Sequence, residues 1–165
     1  MGSGNNGGDG MVVARHLAEA GLSVAVRAPG GAAPRTPDAA LMTAIAASIG
    51  IAVEPLDPAG PHPGAGVLVV DALLGTGASG PVREPALGAV EWMTSHAGPV
   101  AALDVPSGVD AGTGRVEGRA VHADLTVTFH GDMVGLRVTP GADHAGRVEV
   151  ADIGVPSAVA LEPAA

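Results

Sequence analysis

Short apolar segments alternate with helical segments along this chain, and this alternation strongly limits the fold it can adopt. Residues 67–70 and 100–103 are uninterrupted apolar runs, which are typical of strands buried on both faces of a sheet. Helical segments between such runs favour parallel strands joined by right-handed crossovers. The sequence therefore predicts an α/β fold with a mostly parallel sheet. The predicted helices are 9–20, 38–49 and 83–96, and the predicted strands are 22–27, 51–53, 67–70, 100–103, 125–129 and 148–150.

Composition narrows the class of protein. The 165 residues suit one domain, and with 47% hydrophobic but only 1% aromatic residues the core must consist of Val, Leu, Ile and Ala. The net charge of −9 disfavours nucleic acid and anionic membranes as partners. The absence of cysteine excludes disulfides, thiol catalysis and cysteine-ligated zinc. No apolar segment approaches the ~20 residues of a membrane span, and no signal peptide is visible, so we expect a cytoplasmic protein.

Residues 4–10 read GNNGGDG and directly precede a helical pattern. Glycines allow backbone N–H groups to approach a ligand closely, and a helix N-terminus adds partial positive charge. Asn5 and Asn6 supply amide donors and acceptors, and Asp9 can cap the helix with its side-chain oxygen. The segment is therefore predicted to be a loop that holds a polar ligand carrying phosphate.

Two strands of the predicted sheet run directly into aspartates, Asp71 and Asp104. In a parallel sheet both lie on the same edge as residues 4–10. Two carboxylates there repel each other, and the chain has no lysine, so either one carboxylate binds a proton or a cation lies between them. The Asn6 amide and the Ser107 hydroxyl supply oxygen ligands of the kind that a hard cation prefers. The residues alone leave both alternatives open.

Each of these residues also has a simple structural interpretation. Asp9 alone is typical of a helix cap, an aspartate after a strand commonly forms a turn, and Ser107 follows a proline. The six histidines show no metal-ligand spacing, which indicates surface or structural roles. The functional interpretation depends on three polar segments falling on one predicted edge.

Four motifs in order resemble the YjeF N-terminal domain. They are GNNGGDG at 4–10 with RHL at 15–17, VDALLGTG at 70–77, LDVPSGVD at 103–110 and ADLTVTFH at 123–130, and the segment 141–156 ends in VADIGVP. The resemblance covers residues 3–156. We therefore expect an epimerase-type domain over residues 1–156, followed by a disordered tail over 157–165. The resemblance implies a Rossmann-like three-layer αβα sandwich. We expect the sandwich of this chain to lack the family's N-terminal helices and first strand, because only residues 1–3 precede the first motif.

The resemblance also implies an activity, that of NAD(P)H-hydrate epimerase. This isomerase interconverts the R and S forms of NADHX and NADPHX, which are NADH and NADPH with water added at C6 of the nicotinamide ring. A dehydratase, its functional partner, then restores NAD(P)H from the S form. The implied cofactor is a potassium ion, and Asp104 is implied to be the catalytic acid/base. By motif position, the implied substrate-binding residues are Asn5, Asn6, Gly7, Gly8, Asp9, Gly75, Thr76, Gly77, Ala78, Ser79, Gly80, Pro81 and Asp104, and the implied potassium ligands are Asn6, Asp71 and Ser107.

Alternatives to the enzyme remain. Domains similar to YjeF also occur as non-catalytic ligand- or partner-binding modules, and the chain departs from the family at Met133, where a lysine is usual. A generic nucleotide-binding Rossmann domain is less favoured, because the loop lacks the Gly-x-Gly-x-x-Gly spacing and Arg27 stands where an acidic residue is expected. A third alternative is an inactive truncated copy of the enzyme. The sequence also leaves open the preference between NADHX and NADPHX, a fused or separate dehydratase, and a homodimer.

Overall fold

The computed structural model describes residues 1–31 and 33–155. The predicted tail, 157–165, lies outside the described residues. Helices and strands alternate along most of the chain, as the apolar pattern predicts. In chain order the elements are α1 (Asn5–Glu19), β1 (Val26–Pro29), α2 (Pro37–Ser48), β2 (Val53–Leu56), β3 (Val69–Asp71), α3 (Ala86–Thr94), β4 (Val100–Leu103), β5 (Leu125–Phe129), a short 3₁₀ helix (Val134–Leu136), α4 (Gly141–Ala145) and β6 (Arg147–Ala151).

All strand pairs are parallel, which confirms the predicted α/β class. β1 and β2 form a two-stranded sheet, and the other strands form a four-stranded sheet in the order β3-β4-β5-β6. The register places Asp71, the last residue of β3, beside Ala102 of β4. The carboxyl ends of β3 and β4 therefore meet at one edge of the larger sheet.

Residues 1–3 connect the two sheets through backbone hydrogen bonds. The Met1 nitrogen donates to the Arg27 carbonyl of β1 at 2.5 Å, and the Gly2 N–H donates to the Ala72 carbonyl, just after β3, at 2.8 Å. The Ser3 carbonyl accepts from the Arg35 N–H at 2.7 Å. In the described residues no strand pairs with both β1 and β3, so the two sheets are separate.

Helix α1 begins at Asn5, four residues before the predicted start at Asp9. The prediction of a loop over residues 4–10 was therefore wrong, as was the helix-capping role of Asp9, because the cap position is Gly4. Glycine disfavours helix, but here close packing compensates. A Cβ on Gly7 would overlap the Gly2 carbonyl oxygen, and one on Gly8 would lie 3.0 Å from the Ala39 Cα of α2.

The strands were predicted more accurately where the chain is buried in the sheet. β4 and β5 have the predicted bounds, and every residue of β4 is buried. The prediction of a doubly buried strand at 67–70 was wrong, since Val67 and Leu68 are exposed and β3 is only half-buried at Val69 and Val70. β3 pairs on one side only, with β4, which explains its exposure. α4 and the 3₁₀ helix were not predicted, because they are only five and three residues long.

The core consists of three clusters of small aliphatic side chains. One joins α3 to β4 around Val90 and Val100, a second joins α1 and α2 around Met11, and a third surrounds Leu136. Met133, at the position where the resemblance implies a lysine, is half-buried against the third cluster. Its side chain therefore has a packing role in this chain.

Candidate functional site

A buried network joins the carboxyl end of β3 to the loop after β4. Asp71 is completely buried, and its Oδ1 accepts from the Ser107 hydroxyl at 2.7 Å and from the Leu73 N–H at 3.1 Å. Its Oδ2 accepts from the Ser107 N–H at 2.8 Å. Burial raises the pKa of Asp71, while the hydrogen bonds from Ser107 and Leu73 oppose that shift. An ionised Asp71 in this environment is a negative charge that favours a nearby cation.

Asn6 extends this network from α1. Its Nδ2 donates to the Leu74 carbonyl at 2.8 Å, and the Leu74 N–H donates to the Ser107 hydroxyl at 2.9 Å. Only an N–H can face that carbonyl, so the amide orientation is fixed, and Oδ1 is left buried without a partner in the described residues. A buried acceptor without a donor is costly unless a ligand satisfies it. The structure therefore brings Asn6, Asp71 and Ser107 together around Leu74.

Asp104 follows β4 in the left-handed conformation, with φ +69°. Its N–H donates to the Val127 carbonyl at 2.8 Å, and its Oδ2 accepts from the Thr76 N–H at 2.8 Å. Left-handed backbone is uncommon for residues other than glycine and often marks functional sites. Gly75 lies between Asp104 and Asn6: a Cβ there would be 2.8 Å from the Asp104 Oδ2 and 3.1 Å from the Asn6 Cβ. A side chain at position 75 would therefore force Asp104 or Asn6 to shift.

The carboxylate that faces Asp104 is Asp9, not Asp71. Partial burial is the main cause that raises the pKa of Asp9, and the negative charge of Asp104 is the second. For Asp71 the nearby charge is instead the Met1 ammonium. The repulsion expected between Asp71 and Asp104 is therefore replaced by repulsion between Asp9 and Asp104.

We expect Asp9→Asn to raise the free energy of unfolding at pH 7. The pKa of Asp9 is higher in the folded chain than its usual 3.8, so the folded state binds its proton more tightly and ionisation lowers stability as pH rises through that window. Asparagine removes the charge and its repulsion with Asp104. Urea unfolding of both proteins between pH 4 and pH 7 measures the difference, which should shrink as pH falls. A difference independent of pH would contradict this explanation.

The remaining predicted binding residues lie on α1 and on the loop after β3. The Asn5 Oδ1 accepts from the Thr36 hydroxyl at 2.6 Å, and Gly7 and Gly8 are buried in the packing of α1. The loop 75–81 forms part of the wall of a cavity of about 470 Å³, which also includes residues 105–110, Arg115 and Glu117. This cavity shares Leu74, Gly75 and Ser107 with the network of Asn6 and Asp71. The loop members are Gly75, Thr76, Gly77, Ala78, Ser79, Gly80 and Pro81, of which Thr76 alone is not in the cavity wall.

Sequence reasoning missed three residues at this edge. The backbone groups of Leu74 link Asn6 to Ser107, and no side-chain type signals such a role. Arg83 and Arg115 line the cavity, whereas the sequence pattern predicted Arg83 only as the first residue of the helix 83–96. Because the chain has no lysine, its few arginines are its only fixed positive side-chain charges, and this could have drawn attention to Arg83 and Arg115.

The described residues contain neither a membrane-spanning helix nor a metal site built from acidic, histidine or cysteine side chains. Over residues 1–31 and 33–155 no helix has the length and apolar character to cross a membrane. Over the same ranges, no three His, Cys, Asp or Glu side chains are grouped as a metal site. Asn6, Asp71 and Ser107 supply one carboxylate and two neutral oxygen atoms, so they do not form a group of that type.

The fold and this edge define a Rossmann-like α/β domain with a polar site at the carboxyl ends of its parallel strands. The family described as "YjeF-related protein N-terminus" matches residues 1–135, and the chain belongs to that family. A crystal structure of a yeast protein, YNL200c, superimposes with a TM-score of 0.71 and 26% identity, covering 94% of this chain and 65% of that one.

Two curated relatives carry descriptive names. The "Bifunctional NAD(P)H-hydrate repair enzyme Nnr" of Salinibacter ruber is 42% identical over 176 residues, which cover 94% of this chain and 31% of the relative. The "NAD(P)H-hydrate epimerase" of Rhodopirellula baltica is 39% identical over 158 residues, covering 94% of this chain and 64% of the relative. The chain thus spans about a third of the bifunctional relative's length.

Proposed function

We propose that this chain epimerises the R and S forms of NADHX and NADPHX. The observation that carries the proposal is the Asp104 carboxylate, held in a left-handed backbone at the sheet edge and fixed by the Thr76 N–H beside Asn6. The names of the relatives, which include a hydrate epimerase, support the same reaction. A non-catalytic binding module does not require an aspartate on left-handed backbone whose Oδ1 accepts no hydrogen bond in the described residues.

Asp104 is the proposed general acid/base. Inversion at C6 requires either that the hydroxyl leaves and returns or that the ring opens and recloses, and both routes move a proton at oxygen or nitrogen. In the described residues the Asp104 Oδ2 accepts one hydrogen bond and Oδ1 accepts none, so Oδ1 can exchange the proton with substrate. A positioned carboxylate contributes roughly 10²–10⁴-fold to such a step. The raised pKa of Asp9 beside it makes Asp9 a second group able to hold a proton near the ring.

The dinucleotide is proposed to lie along the first turns of α1 and the loop 75–81. Asn5 is held in place by Thr36, so its amide can orient a polar group of the substrate without losing side-chain entropy on binding. The glycines of both segments let the ligand approach the backbone closely. These contacts would place the nicotinamide end near Asp104.

Asn6, Asp71 and Ser107 are the proposed ligands of a potassium ion. The donor set fits: the Asn6 Oδ1 is buried without a partner, Asp71 is a buried carboxylate, and the Ser107 hydroxyl joins them. Neutral oxygens with one carboxylate suit a hard cation of low charge. Such an ion would balance the charge of Asp71 and fix α1 against the loops after β3 and β4.

One assay tests the epimerase. An S-specific hydrate dehydratase is mixed with NADHX containing both forms, and it consumes the S form alone. Addition of this chain should let the R form be consumed as well, and a second assay with NADPHX gives the preference between the two substrates. If the R form persists at high concentrations of this chain, the epimerase proposal fails and the binding module takes its place. The dehydratase, fused or separate, is the proposed functional partner.

We expect K⁺ to raise the thermal stability of the chain relative to choline at equal ionic strength. An ion that binds only the folded state adds about 1 kcal/mol once its concentration is several times the dissociation constant. Ser107→Ala and Asn6→Ala should lose this response, because each removes a proposed ligand. Ser48→Ala, an exposed serine at the end of α2, serves as the matched control and should keep it. An equal K⁺ response in all four proteins would refute the site.

A further inference from the structure

Two arginines in the cavity wall form no ion pair with a carboxylate in the part of the chain that the structure describes. All eight basic residues of the chain are arginines, and Arg83 and Arg115 both line the cavity of about 470 Å³. Over residues 1–31 and 33–155, neither has an ion-pair partner. In a chain of net charge −9, two arginines that line one cavity without an ion pair in the described residues favour an anionic ligand there. The arginines that lie within 3.6 Å of a carboxylate are Arg15, Arg27, Arg119, Arg137 and Arg147.

Arg115 lies on a tight turn that fixes its backbone. The Asp110 Oδ1 accepts from the Gly112 N–H at 3.1 Å and from the Thr113 N–H and hydroxyl at 2.8 and 2.7 Å. The Asp110 N–H in turn donates to the Arg115 carbonyl at 2.9 Å. The bonds from Thr113 hold the pKa of Asp110 below its ordinary value, with the charge of Arg115 a lesser cause. Asp110 therefore acts mainly as the organiser of the turn that presents Arg115.

Arg83 precedes α3, whose N-terminus also reaches the cavity. Ala86, the first residue of this nine-residue helix, is part of the wall, and the capping residue Pro85 provides no side-chain hydrogen bond to the helix. The helix end therefore adds partial positive charge to that of the guanidinium. On the same wall, the loop 75–81 contributes glycines that leave the backbone open to a ligand.

We infer that Arg83 and Arg115 bind phosphate groups of the hydrated dinucleotide, an inference that rests on the proposed function. The guanidinium group offers paired N–H donors that match phosphate oxygens in number and direction. The cavity shares Gly75 with the Asp104 site, so one extended ligand can place its ring at Asp104 and its phosphates in the cavity. The phosphates are either the pyrophosphate, common to NADHX and NADPHX, or the additional 2′-phosphate of NADPHX. Asp110 and Glu117, which are also in the wall, oppose this charge and should limit the affinity.

Calorimetric titration of the full chain with equilibrated NADHX, and separately with equilibrated NADPHX, tests the inference. Arg83→Gln and Arg115→Gln should each weaken binding about tenfold or more, because each removes a charged hydrogen bond to phosphate. Glu117→Gln should strengthen it. The matched control is Arg147→Gln, which makes the same charge change at an exposed ion pair on β6 and should leave the affinity within twofold. Equal losses for both ligands place the pyrophosphate at the arginines, whereas a loss confined to NADPHX places the 2′-phosphate there.

The outcomes separate the two proposals. If the unmodified chain binds and epimerises the dinucleotide but both arginine variants bind it as tightly, the arginine assignment fails and the proposed function stands. If the unmodified chain binds neither dinucleotide, both fail. Because Arg83 and Arg115 are exposed and form no ion pair in the described residues, their variants should unfold at the same urea concentration as the unmodified chain. If a variant keeps this unfolding midpoint but loses affinity, the loss is an effect on binding and not on folding.

Discussion

Asp104→Asn is expected to lower the rate of epimerisation by about 10²-fold or more while the dinucleotide still binds. Asparagine has the shape of aspartate, and its amide oxygen can accept the hydrogen bond from the Thr76 N–H at the same place. The asparagine amide, however, cannot take up and return a proton during the inversion at C6. The rate is measured by the coupled dehydratase assay under limiting epimerase, and the dissociation constant by calorimetric titration.

A control isolates the chemistry from the charge change. Asp57→Asn makes the same substitution at an exposed turn, where the side chain accepts from the Ala59 N–H, and it should leave the rate unaltered. An Asp104→Asn variant with the rate of the unmodified chain would remove Asp104 from its proposed role. Loss of both rate and binding would instead make Asp104 a binding group, in which case Asp9 becomes the acid/base to test next.

The fold was predictable where burial alone decides the structure. β4 and β5 have the bounds predicted from their apolar and alternating residues, because each pairs with a strand on both sides. Prediction failed where tertiary packing overrides local preference. Helix α1 starts within a glycine-rich segment that reads as a loop, since its glycines are required by contacts with Gly2 and Ala39 that a sequence does not display.

The sequence was sufficient to predict at which edge of the sheet the site lies, but not which of its residues contact one another. Parallel strands ending in Asp71 and Asp104 had to meet at one edge, and the structure places them so. The pattern suggested that these two carboxylates repel each other, yet the charge near Asp104 is that of Asp9, because α1 begins early and carries Asp9 into its second turn. The bond from Asn6 to the Leu74 carbonyl was beyond prediction for a related reason, since any residue could supply that carbonyl.

Gly7→Ala is expected to destabilise the chain by about 2 kcal/mol or more, although alanine favours helix over glycine by about 1 kcal/mol. Gly7 lies within α1, and a Cβ there would overlap the Gly2 carbonyl oxygen. Gly2 cannot move away easily, because its N–H donates to the Ala72 carbonyl and a Cβ on Gly2 would itself overlap the Leu73 carbonyl oxygen. Sterics and helix propensity thus predict opposite signs, and urea unfolding measures which dominates.

Gly4→Ala is the matched control, since a Cβ on Gly4 meets nothing within 4 Å and its φ of −88° suits alanine. Its stability should stay within about 0.5 kcal/mol of the unmodified chain. A Gly7→Ala protein as stable as Gly4→Ala would mean that residues 1–3 do not hold α1 against β3. If Gly7→Ala destabilises as expected, the displaced α1 should also carry Asn6 away from Leu74 and weaken the response to K⁺. Gly7 would then serve the fold and the ion site through one contact, the close approach of the helix to Gly2.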